Sequence, residues 1–170
     1  RTVFGQTVEA FWATIAHAEP FSVGINCGLG ANSVRSNLSE LSRISNTNIH
    51  CYPNAGLPNP LSETGFDETP EKTSYEIKKL AQEGLVNIVG GCCGTTPEHI
   101  KAIVESVKGI SPRKNISNQI EISDVKNINY TNLNHPESCI HHKGANEYST
   151  YAGLEKYSIE KDSNFTIIGE

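Results

Sequence analysis

Apolar residues fall into short blocks separated by polar and glycine-rich turns, and the spacing within the blocks alternates between helical and extended. Val8, Phe11, Trp12 and Ile15 stand at i, i+3, i+4 and i+7, which is one face of a helix, and Thr7 is placed to cap it. Val23 to Cys27 reads as a short strand. A glycine-rich turn and a helix from about Ser33 follow, with Val34, Leu38 and Leu41 on one face. Ile49 to Tyr52 is the next strand, made less apolar by Asn48 and His50. Beyond a proline-rich loop, a helix from about Pro70 to Glu83 turns Ile77, Leu80 and Ala81 inward and closes at Gly84. Leu85 to Val89 is nearly all apolar, as a parallel strand covered on both faces is. Thr96-Pro97 opens the last helix, the hydroxyl capping and the proline occupying the first turn. Ile100, Ile103, Val104 and Val107 form its inward face, and Gly109 ends it.

Three strand-then-helix units in succession predict an α/β fold. Cysteines gather where those strands end: Cys27 in Gly24-Ile-Asn-Cys-Gly28, and the pair Cys92-Cys93 in Gly90-Gly-Cys-Cys-Gly94. Candidate ligands at the C-terminal ends of strands fit a (βα)8 barrel, whose active sites lie at that face. Three thiolates suit zinc, which in catalytic sites takes three protein ligands and keeps a fourth position open. Other readings stand beside this one. A structural zinc finger would need a Cys-x-x-Cys knuckle, which is missing here. Buried inert thiols are a second possibility, although glycines on both sides of the pair leave the sulfurs uncovered. A redox disulfide is a third, disfavoured because neighbouring cysteines close a strained ring.

The segments Gly24-Ile-Asn-Cys-Gly-Leu-Gly30, Tyr52-Pro-Asn-Ala-Gly-Leu-Pro-Asn59 and Asn87-Ile-Val-Gly-Gly-Cys-Cys-Gly-Thr-Thr-Pro97 resemble the homocysteine-binding domain of the cobalamin-dependent methionine synthases. The resemblance runs over residues 1–113. Gly153-Leu-Glu155 and Phe165-Thr-Ile-Ile-Gly-Glu170 more weakly resemble the passage from that domain into the folate-binding domain. It implies that the chain holds the last three βα units of a TIM-type barrel, the opening helix corresponding to the one before the sixth strand. A full barrel typically needs about 250 residues, so an incomplete barrel is expected. It further implies a methyltransferase with zinc on Cys27, Cys92 and Cys93, Asn54 as a candidate fourth ligand before substrate arrives, and no catalytic residue beyond the zinc ligands. Asn54, between Pro53 and Gly56, also reads simply as a turn residue.

The implied reaction makes methionine from homocysteine. The implied donor is methylcobalamin on another domain of the parent enzyme, regenerated by methyltetrahydrofolate, so the implied partners are the cobalamin-binding and folate-binding domains. The alternatives are a cobalamin-independent homocysteine methyltransferase using betaine or S-methylmethionine, families not followed by a folate domain, and a non-catalytic truncated remnant. Amides near Thr95 and Thr96, at the start of the last helix, are a candidate cradle for the substrate carboxylate.

Composition adds limits. The chain has 170 residues and a formal net charge of −5, which offers no basic surface for nucleic acid or an anionic membrane. Its apolar runs are far shorter than the roughly 20 residues of a membrane span. An odd count of five cysteines without a disulfide pattern suits a reducing, cytoplasmic setting. No methionine is present and the chain begins at Arg1, which reads as a piece of a longer protein, expected to be inactive in isolation.

From residue 111 the composition turns to Asn, Ser and Ile with little periodicity. Residues 114–163 read as an interdomain linker, and residues 164–170 as the first strand of a following domain. His135, Cys139, His141 and His142 lie in the linker at spacings that match no standard metal site. Cys51, within a strand, reads as core, and His17 and His99 read as surface or internally satisfied helix residues.

Overall fold

The computed structural model describes residues 5–62, 65–115 and 150–159. Two compact units divide the chain, one of residues 20–121 and one combining residues 1–19 with 122–170.

The larger unit is a mixed α/β fragment built on a parallel sheet of three strands, β1 (Ser22–Gly30), β2 (Asn48–Asn54) and β3 (Ile88–Val89), in the order β1-β2-β3. Helices α2 (Ala31–Ile44), α3 (Pro70–Gln82) and α4 (Pro97–Val107) follow the strands in turn. Burial alternates along β2: Ile49, Cys51 and Pro53 are buried, whereas Asn48, His50 and Tyr52 are half-buried. Val23 shares the face of Ile49, and the core joins them to Val34, Leu38 and Leu41 of α2, Ile77 and Leu80 of α3 and Ile103 of α4.

The opposite face of the sheet pairs aromatic rings with glycines. His50 and Tyr52 stack with ring centroids 5.1 Å apart. Gly24 lies so close to the adjacent strand that a Cβ there would overlap the His50 carbonyl, and one at Gly90 would stand 2.8 Å from the Tyr52 ring. Replacing Gly24 by Ala is therefore expected to destabilise the unit by about 1–3 kcal/mol through overpacking. Urea unfolding measures this, and an unchanged midpoint would show that β1 moves aside freely.

Helix boundaries follow their caps. Thr7 accepts from the Ala10 amide at the start of α1 (Val8–Ile15), and Thr69 accepts from the Lys72 amide at the start of α3. Past the ends of α3 and α4, Gly84 and Gly109 adopt φ of +67° and +79°. The strands depart from the spacing-based bounds. β3 is only two residues long because Leu85 bonds back to Leu80 O and Asn87 Oδ1 accepts from the Ile49 amide, which keeps residues 85–87 out of the ladder. α2 begins at Ala31 rather than near Ser33.

In the smaller unit, α1 packs with a hairpin of β4 (Thr150–Ala152) and β5 (Lys156–Ser158), Tyr151 opposite Tyr157. The Thr7 amide donates to Leu154 O at 2.8 Å, and Gln6 Nε2 donates to Gly153 O at 3.1 Å. This hairpin lies within the stretch that composition marks as linker. The expected strand at Phe165 to Ile168 and the cluster of His135, Cys139, His141 and His142 lie outside the described residues. No described helix is long and apolar enough to cross a membrane.

Candidate metal centre

Cys27 sits where β1 loses register with β2. Pairing holds from Ser22↔Asn48 to Asn26↔Tyr52, breaks, and resumes at Gly30↔Asn54. Across the break Cys27 has φ +65° and Gly28 φ +80°, two successive left-handed residues that lift the chain out of the sheet. A left-handed conformation at a non-glycine residue costs on the order of 1–3 kcal/mol and persists only where the surroundings impose it.

Cys92 and Cys93 lie in the turn between β3 and α4, and the end of β2 fixes that turn from three sides. The Cys92 amide donates to Pro53 O at 2.8 Å, the Cys93 amide to Asn54 Oδ1 at 3.2 Å, and the Ala55 amide to Cys93 O at 2.9 Å. Glycines permit the turn: a Cβ on Gly91 would overlap Thr95, and one on Gly94, at φ +75°, would overlap the Phe66 ring.

Together these elements bring the three sulfurs within 4.8 Å of one another at the C-terminal ends of parallel strands. Cys27 Sγ stands 3.5 Å from Cys93 Sγ, and Cys92 Sγ stands 3.8 Å from Cys93 Sγ. Sulfurs sharing one tetrahedral zinc at about 2.3 Å would be about 3.8 Å apart, so spacing and donor chemistry both fit that ion. Cys27 and Cys92 are half-buried and Cys93 is exposed, which leaves an approach to the cluster.

The sulfurs differ in acidity. The Gly28 amide donating to Cys27 holds its thiol below the ordinary value of 9.0, helped by the thiols of Cys93 and Cys92 and by the Asn54 side chain. Cys93, tied to Cys27 and then to Cys92 by sulfur hydrogen bonds, is pushed up to about 11. Cys51 stands apart: it is fully buried, and burial raises its thiol to about 12, as suits a core residue.

Asn54 is 4 % exposed, and its Oδ1 accepts from Cys93, which makes it a brace of the cysteine turn in this structure. Thr96 is engaged in a capping box with His99, its hydroxyl 2.9 Å from His99 Nδ1. His17 is exposed on a 3-10 turn, whereas His99 is buried. Sequence reasoning left His99 without a task beside the site. The signal was available in its position three residues after a Thr N-cap, where a capping-box partner sits.

The family model described as homocysteine S-methyltransferase matches residues 1–107, a span that contains all three clustered cysteines.

Proposed function

The chain belongs to the homocysteine S-methyltransferase family, and from that premise we propose that it is part of a zinc-dependent, cobalamin-dependent methionine synthase. The observation that carries the metal assignment is the three-sulfur cluster at the strand ends. The fold reading that goes with it is the last three units of a (βα)8 barrel, in a cytoplasmic enzyme whose cobalamin-binding and folate-binding domains lie elsewhere in the parent chain. The motifs around Cys27, Tyr52 and Cys92 support the cobalamin-dependent branch.

In this reading Cys27, Cys92 and Cys93 hold zinc, with Asn54 as the candidate fourth ligand before substrate arrives. Bound zinc supplies Lewis acidity that keeps a substrate thiol ionised near neutral pH. The protein's own residues set the geometry. The left-handed turn at Cys27 presents one sulfur, and the braced turn at Cys92-Cys93 presents two. The exposed side of Cys93 leaves room for the homocysteine thiolate and an incoming methyl donor.

Metal analysis of the purified chain tests this reading. One zinc per chain is expected, lost when Cys92 and Cys93 are both changed to Ser, and homocysteine should release a proton on binding the zinc-loaded form alone. A chain without zinc, or a double variant that keeps it, would overturn the assignment. In the parent enzyme, methylation by methylcobalamin and not by betaine or S-methylmethionine identifies the donor.

A further inference from the structure

His99 is 3 % exposed and lies in the first turn of α4. The Thr96 amide donates to its Nδ1 at 3.3 Å. An amide can only donate, so Nδ1 is the acceptor and the ring proton sits on Nε2, which donates to Glu68 O at 3.0 Å. Glu68 in turn donates its amide to Ala55 O at 3.0 Å, and the Ala55 amide donates to Cys93 O at 2.9 Å. These bonds close a ring that starts just after Cys93, passes through His99 to the loop before α3, and returns to Cys93 through the residue that follows Asn54.

Glu68 and Ala55 are also the base of a hairpin-like loop. Asp67 donates its amide to Leu57 O at 3.2 Å, and Asp67 Oδ1 accepts from the Leu57 amide at 2.8 Å. The loop presses the Phe66 ring onto Gly94, immediately after the cysteine pair. Within this ring, the bond from Nε2 ties a side chain of α4 to the main chain at the loop base.

We propose that His99 is a positioning residue for the metal centre, fixing Cys93 through Glu68 and Ala55; this rests on the three-cysteine zinc reading above. Groups that orient metal ligands from behind typically alter affinity 10–100-fold when removed.

Two variants separate this role from helix capping. His99→Asn keeps an acceptor where Nδ1 stands, and so the cap on Thr96, but its side chain is too short to reach Glu68. His99→Gln carries an acceptor and a donor spaced like the two ring nitrogens and is the rescue variant. In the full chain, His99→Asn is expected to weaken Co²⁺ binding at least about tenfold and to alter the thiolate-to-cobalt absorption bands, with His99→Gln restoring both. In the metal-free chain, iodoacetamide should modify Cys93 faster in His99→Asn than in the parent.

Unchanged Co²⁺ affinity, spectrum and Cys93 alkylation in His99→Asn would overturn the proposal, as would a loss that His99→Gln fails to restore. If the parent chain binds no metal, the zinc reading fails by itself, and the alkylation rate then decides the positioning role alone.

Discussion

Replacing Arg113 by Ala is expected to destabilise the larger unit by about 3 kcal/mol, because it strands several acceptors at once, the Ser45 carbonyl fully buried and the others partly so. The side chain of this residue, which is 5 % exposed, donates to Ser42 Oγ at 2.8 Å, Ser42 O at 2.8 Å, Ser45 O at 2.7 Å, Thr47 O at 3.0 Å and Asn115 Oδ1 at 2.7 Å. All five partners are neutral, and burial lowers the guanidinium pKa from its ordinary value, although arginine remains charged. Two of the acceptors are carbonyls at the C-terminal end of α2, where the helix dipole is negative and a cation is favoured. The main chain of Arg113 is tied down as well, its amide donating to Val86 O at 3.1 Å and its carbonyl accepting from Asn87 Nδ2 at 2.8 Å. Arg113 thus joins the end of α2, the turn before β2 and the entry to β3. Lysine cannot replace it, since a single ammonium lacks the planar fork that reaches separated acceptors. Urea unfolding of Arg113→Ala and Arg113→Lys measures the effect; a loss under about 0.5 kcal/mol in the Ala variant would show that water fills the acceptors without cost.

Local signals in the sequence were strong enough to place the helices. Thr7, Thr96-Pro97 and Gly84 mark element ends because capping is settled within a few residues. Strand bounds were less legible, since they depend on partners distant in sequence: Leu85 to Asn87 look like strand by apolarity, but their hydrogen bonds go to the end of α3 and to β2 outside the ladder. The cysteines were legible as a group through their glycine-flanked positions. What their spacing could not show is the left-handed turn at Cys27, which depends on a register break between two strands. Arg113 was missed for a related reason, since it works through carbonyls of residues far away in the chain and no local pattern encodes those contacts. His99 reads from the sequence as internally satisfied, and it is, but its bond to Glu68 O lies beyond any local pattern. Composition also hid the hairpin at residues 150–158, whose short ladder stands in a polar surrounding.

Metal affinity should rise steeply with pH, at least about 100-fold between about pH 6 and pH 8. The sulfurs of a metal site are ionised, and in the metal-free chain Cys93 keeps its proton until about 11. Binding must therefore expel that proton, and each proton expelled strengthens binding about tenfold per pH unit, equivalent to about 1.4 kcal/mol. The sign follows directly: raising the pH removes the competitor of the metal, so affinity climbs and does not level off for Cys93 until the pH nears 11. Cys27 acts in the same direction but stops contributing at lower pH, because the Gly28 amide already favours its ionised form. Competition titrations with Zn²⁺ across this range give the slope of log affinity against pH. A slope of one or more supports binding through Cys93. A flat profile would mean that the metal is held by groups already ionised near neutrality, such as carboxylates, and the three-sulfur centre would have to be abandoned as the site of binding. Cys93→Ser adds an internal check, since removing a sulfur that keeps its proton well above neutrality should lower both the affinity and the slope.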